Sequence, residues 1–118
     1  MTLLITKPEH MFYLTGFSGE GFVIKQGKSL LLATDQRYWL MAKALQGKGL
    51  KLLDLKKGWQ RILQDDLRGV SEIHYEASQL TIAGLSRWKK ILPAKTWKDD
   101  GGLWKRERMI KTGDELKK

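Results

Sequence analysis

Three glycines, Gly16, Gly19 and Gly21, crowd the stretch YLTGFSGEG, and glycine-rich loops are frequent cradles for phosphate groups. A phosphate cradle needs its glycines after a strand and directly before a helix, so that free backbone N–H groups and the helix dipole face the anion. Here the residues before the loop are helix-forming and the run FVI after it is strand-forming. The spacing is G-x-x-G-x-G, and no Gly-Lys-Ser or Gly-Lys-Thr follows. The loop therefore reads as a connection from helix to strand. Ser18 lies inside it, yet G-F-S-G-E lacks the G-x-S-x-G spacing of a nucleophile elbow. A hydroxyl at this place is expected to bond nearby backbone. No catalytic residue is assigned.

Metal binding needs His, Asp or Glu side chains that converge. The two histidines, His10 and His74, are far apart, and no H-x-x-x-H or H-E-x-x-H is present. Glu72, His74 and Glu76 form the best local cluster, on alternate positions of one segment. The same alternation suits the exposed face of a half-buried strand near a sheet edge, so no metal ligand is assigned either.

Those candidates are held by 118 residues, the size of one domain with a single modest core. With 42% hydrophobic and 30% charged residues of both signs, the chain is expected to fold rather than remain disordered. There is no cysteine, which removes disulfides, thiolate metal sites and cysteine nucleophiles and fits a cytoplasmic location. The opening MTLLITKP is too short an apolar run for a signal peptide, and no stretch approaches a membrane span, so no membrane partner is expected. The net charge is +9, and half of the 22 lysines and arginines lie from Arg87 onward. Such a charge suits a solvated surface, an acidic neighbour or nucleic acid.

Apolar runs and helix faces alternate along the chain. Residues 3–6 read as a buried strand, and Pro8 opens a short helix through Tyr13. Residues 22–25 and 30–34 read as strands joined by Gln26-Gly27-Lys28. Asp35 is an N-cap, followed by Tyr38, Met41, Ala42 and Leu45 on one helix face. A strand at 52–55 precedes a stripe of Trp59, Ile62, Leu63 and Leu67, with Gly69 as the left-handed residue that ends the helix. Residues 72–76 form the alternating strand. Thr81 caps a helix that buries Leu85, Trp88 and Leu92 and stops at Pro93. A short strand at 95–98 and a weakly amphipathic helix at 101–111 complete the pattern. Strands separated by crossover helices predict a three-layer α/β/α domain. The early hairpin adds one antiparallel pair, so the sheet of five to six strands is mixed. This arrangement is similar to the ribonuclease H motif, although the first strand, LLIT, lacks the carboxylates those nucleases use to hold metal ions. Most tryptophans belong to the core, while Trp39 and Trp104 are partly exposed candidates for a partner surface.

The ordered segments LLITKPEHMFYLTGFSGEGFVI, LLLATDQRYWLMAKAL, YEASQLTIAGLSRWKKIL and LWKRERMIK resemble the N-terminal domain of the creatinase, prolidase and aminopeptidase P family. The resemblance implies the same mixed sheet. It also implies a parent Xaa-Pro metallopeptidase whose two divalent metal ions, such as manganese or cobalt, are held by a separate C-terminal catalytic domain. Residues 1–111 would be the accessory domain and 112–118 the start of a linker to that catalytic domain, with no cofactor in the chain itself. The family role implied is dimer formation and closure over the rim of an active site. By position, Phe17, Ser18, Gly19, Arg37, Tyr38 and Trp39 would line the substrate-access or dimer-interface loop, with Arg37 held by a carboxylate or carbonyl. Family members usually carry a helix before the first strand, so a start on that strand is expected to leave one sheet face bare. Glu107 stands where the family has an apolar residue. The competing reading is a free-standing module whose basic C-terminal third binds nucleic acid.

Overall fold

The computed structural model describes residues 1–46, 49–93 and 95–99. Six strands make one sheet, β1 (Thr2–Ile5), β2 (Phe22–Gln26), β3 (Ser29–Thr34), β4 (Leu50–Asp54), β5 (Glu72–Tyr75) and β6 (Thr96–Asp99), in the order β4-β3-β2-β1-β5-β6. Four helices connect them: α1 (Pro8–Thr15), α2 (Trp39–Leu45), α3 (Trp59–Asp66) and α4 (Ile82–Ile91). Two neighbouring pairs are antiparallel, β1 with β2 and β2 with β3, and the other three junctions are parallel. The sequence pattern predicts only one antiparallel pair. The second arises because α1 and its loop return the chain beside β1 in the opposite sense.

Strand alternation sorts the core into two layers. Leu3 and Ile5 point to the side that also holds Met11, Phe17, Val23, Leu32 and Ala42, beneath α1 and α2. Leu4 points the other way, to Ile24, Leu31, Leu63, Ile73 and Leu92, beneath α3 and α4. Both faces of β1 are buried, which is why it reads as an unbroken apolar run. The bare face expected next to β1 is therefore absent: helices cover it on both sides. The open ground lies instead by β4, where a groove of about 330 Å³ is lined by Leu50, Leu52, Ile62 and the Lys51–Asp66 ion pair of 3.7 Å.

On the α3/α4 side, aromatic rings lock helices to sheet. Phe22 meets Trp88 edge-on at 4.8 Å and Trp59 at 5.7 Å, and Trp97 follows Trp88 at 6.3 Å. Such pairs add to the burial of their area. Thr81 Oγ1 accepts from Gly84 N at 2.9 Å, the cap expected for α4. The end of α3 differs from expectation. Gly69 has no positive φ, and Lys95 instead donates to the carbonyls of Leu67 (2.5 Å) and Val70 at the end of that helix. A cation from the next crossover thus supplies what a left-handed glycine usually does.

β5 is half-buried and lies next to the edge strand β6, as its polar alternation predicts, pairing with β6 on one side and β1 on the other. Glu76, just beyond it, is buried and bonded to His10 of α1. The expected helix at 101–111, including Trp104 and Glu107, lies outside the described residues. Among the described residues no helix is long and apolar enough to cross a membrane.

Candidate functional site

Gly16 ends α1 with φ 81°, donating its N–H to Phe12 O at 2.7 Å. The left-handed turn lets α1 run to Thr15, two residues past the expected end. Thr15 Oγ1 donates back to Met11 O at 2.7 Å and accepts from Phe17 N at 3.0 Å, which aims residue 17 inward. Phe17 is fully buried and meets Tyr38 edge-on at 6.1 Å. Its side chain anchors the loop in the core and does not form part of its outer surface. Gly19 crosses above this pair so closely that a Cβ there would lie 2.6 Å from both rings.

Glu20 ties the loop to the next crossover. Its carbonyl accepts from Thr34 Oγ1 at 2.6 Å, and its carboxylate accepts from Arg37 Nη2 at 2.9 Å. Arg37 also donates through Nε and Nη2 to both oxygens of Asp35, at 2.8–3.2 Å, and lies 5.2 Å from the Tyr38 ring centre. The arginine thus clamps two carboxylates 15 positions apart onto one turn. Asp35 Oδ1 accepts from Arg37 N at 3.0 Å, so the capping geometry expected at Asp35 is present. It caps a 3₁₀ turn, Gln36–Tyr38, and α2 starts only at Trp39.

The outer surface of this site belongs to other residues. Ser18 is exposed, and its hydroxyl faces the Met41 thioether at 3.6 Å instead of the backbone contact expected. Trp39 is half-buried at the start of α2, beside exposed Leu40 (85% accessible) and Met41. Of the six residues assigned from sequence, Phe17, Gly19 and Tyr38 meet directly. Arg37 joins them through Glu20, and Ser18 reaches α2 through Met41. Glu20 was missed, and its only signal was a carboxylate in a loop otherwise of small residues.

Neither histidine contacts Ser18 among the described residues. His10 bonds Glu76, and His74 Nε2 meets Glu72 Oε1 at 2.8 Å. Glu72 also pairs with Lys98 at 3.1 Å. The row of Glu72, His74 and Glu76 is thereby split between two partners, and among the described residues no group of three or more His, Asp or Glu side chains converges in metal-binding fashion. These donors do not fit a two-metal centre.

The clamps have a pH signature. Hydrogen bonding from Arg37 holds the Asp35 carboxyl below its ordinary 3.8, and Lys98, then His74, hold Glu72 below 4.5. Both pKa values are depressed on folding, so their stabilisation is present above the ordinary values and is lost as pH falls through the folded ones. Both groups are partly exposed, and the effect is small. The thermal midpoint of the chain is expected to fall as pH drops below about 4, and an Asp35→Asn, Glu72→Gln variant to show a flatter acid limb. Equal acid limbs in differential scanning calorimetry would contradict it.

Comparison with known proteins identifies this architecture. Residues 2–110 match the family model described as the creatinase/prolidase N-terminal domain. No curated protein sequence matches. Among solved structures, the Xaa-Pro dipeptidase from Bacillus anthracis superposes with a TM-score of 0.76 at 23% identity, over 91% of this chain and 30% of its own. An Xaa-Pro aminopeptidase structure from Streptococcus pyogenes gives 0.75 at 26%, over 89% of this chain and 81% of its own. The N-terminal domain of the cytoplasmic peptidase PepQ from Mycobacterium tuberculosis gives 0.70 at 26%, over 89% and 85%. The chain thus spans under a third of the length of the Bacillus dipeptidase and most of the isolated domain.

Proposed function

We propose, from the fact that the chain belongs to the creatinase/prolidase N-terminal domain family, that it is the non-catalytic accessory domain of a metal-dependent Xaa-Pro dipeptidase or aminopeptidase. In this reading it helps two subunits associate and shapes substrate access. Residues 1–111 are the domain, and 112–118 begin the linker to a C-terminal catalytic domain that holds two divalent metal ions. The family match over residues 2–110 carries the reading. The clamped loop supports it: a segment pinned at Phe17, Glu20 and Gly21 offers Ser18 and the neighbouring Trp39–Met41 surface as a rigid edge to a neighbouring domain. Binding through a preformed surface loses little conformational entropy.

A chimera tests it. This chain is exchanged for the N-terminal domain of the Bacillus anthracis Xaa-Pro dipeptidase and assayed on alanyl-proline with manganese. The chimera is expected to hydrolyse the dipeptide, and Ser18→Arg or Trp39→Ala to raise KM while leaving kcat unchanged. A soluble but inactive chimera, or one indifferent to both substitutions, would count against the role in access.

A further inference from the structure

The two helical layers differ in charge. Residues 7–20 and 35–46, the α1/α2 side, carry three basic and three acidic residues: Lys7, Arg37 and Lys43 against Glu9, Glu20 and Asp35. Residues 55–70 and 81–95, the α3/α4 side, carry eight basic residues against only Asp65 and Asp66. Those two aspartates are already engaged, with Arg68 at 2.9 Å and Lys51 at 3.7 Å. Lys56, Lys57, Arg61, Arg87, Lys89 and Lys90 are all exposed and have no ion-pair partner among the described residues. The helices that carry them lie side by side: Trp59 meets Trp88 at 6.2 Å, and Gln64 Nε2 donates to Ile91 O at 2.7 Å.

We propose that the α3/α4 face is a docking surface for the phosphate backbone of duplex nucleic acid. Charge complementarity calls for an anionic partner, and the other features of the face select among anionic partners. Protein interfaces are depleted of lysine and built on exposed aromatic anchors, whereas Trp59 and Trp88 are here turned against Phe22. The same turning removes the stacking platform that single strands use. A lipid surface calls for a broad apolar face to insert. The apolar side of α4 is committed to the core through Trp88, Ile91 and Leu92, Ile62 lines the groove by β4, and among the described residues of α4 only Ile82 is a large exposed hydrophobic. A second copy is disfavoured, since a two-fold interface would set like charges against each other. What remains is a set of exposed cations on adjacent helices, with neutral Gln60 and Ser86 exposed among them, suited to contacts with phosphate without base reading. The sequence alone places the excess charge toward the C-terminal third; the fold instead joins its first part to Lys56, Lys57 and Arg61 from the preceding crossover. This surface is separate from the clamped loop, and the proposal stands or falls independently of the peptidase role.

Fluorescence anisotropy of a labelled random-sequence DNA duplex, titrated with the full chain at several salt concentrations, tests it. Each phosphate neutralised contributes about −0.9 to the slope of log affinity against log salt, so six contacts predict a slope of about −5, or roughly a thousand-fold loss between about 50 and 200 mM. An Arg61→Ala, Arg87→Ala, Lys90→Ala variant, checked for an unchanged thermal midpoint, is expected to halve the slope. The control Lys7→Ala, Lys43→Ala on the other layer is expected to keep it. No binding by the wild type at low salt overturns the proposal. So does a triple variant that keeps the full slope, which would place the contacts elsewhere. Retention on phosphatidylglycerol vesicles without retention of the duplex overturns it in favour of a lipid partner.

Discussion

Replacing Gly21 by alanine is expected to destabilise the domain by about 3 kcal/mol or more, enough to remove much of the stability of a domain this size. Gly21 enters β2 with φ 153°, directly beside β3. A Cβ there would fall on the Ala33 carbonyl, 3.0 Å from its carbon and closer still to its oxygen, and 3.3 Å from Thr34 Cα. All three obstacles are backbone, held by the β2–β3 ladder that pairs Phe22 with Ala33. No rotamer change relieves them, so the strands must separate or the loop must rise. Gly27, at the tip of the same hairpin, has open space around it, so a substitution there meets only the smaller backbone strain of its φ of 58°. Urea unfolding followed by circular dichroism measures the difference. A Gly21→Ala midpoint within error of wild type would show that the strands part at little cost.

Phe17→Ala is expected to cost about 3–5 kcal/mol, the range for emptying a fully buried aromatic site. The thermal midpoint should fall by roughly 10–20 °C. The substitution removes the anchor from beneath Gly19 and leaves the Tyr38 ring without its edge-on partner. Both ends of the Glu20–Arg37 clamp then lose their footing. Loss should therefore extend beyond global stability: amide exchange of residues 18–20 should quicken more than that of β1. A uniform quickening would assign Phe17 to the core alone and would separate the loop from it.

The apolar alternations gave the elements because they are local. LLI, FVI and LLLA lie in buried strands with no competing pattern, and Pro8, Thr81 and the Leu85–Trp88–Leu92 face mark their helices through chemistry contained within a turn or two. The helix-to-strand setting of the glycine loop was legible for the same reason. What was hidden depends on partners distant in sequence. Glu72, His74 and Glu76 look exposed until α1 brings His10 over residue 76, and that pairing spans 66 positions. Phe17 looks like a loop residue because nothing local reveals that Tyr38 lies beneath it. Lys95 looks like any surface lysine, and only the crossover after α4 carries it to the carbonyls at the end of α3. The basic face escaped for a related reason: its cations come from two crossovers separated by β5.

The strand order also has a consequence in time. β1 emerges first during synthesis and finds β2 and β3 within the first 34 residues, with β4 complete by Asp54. Its other flank waits for β5, which ends at Tyr75. Through that interval the nascent chain exposes one unpaired edge of the mostly apolar strand Thr2–Ile5, the kind of transient opening that promotes misassembly. Slow decoding ahead of residue 72 would prolong that exposure, and rapid arrival of β5 would end it. An interior strand buried on both faces of the finished sheet is thus one whose edge stays open on the ribosome.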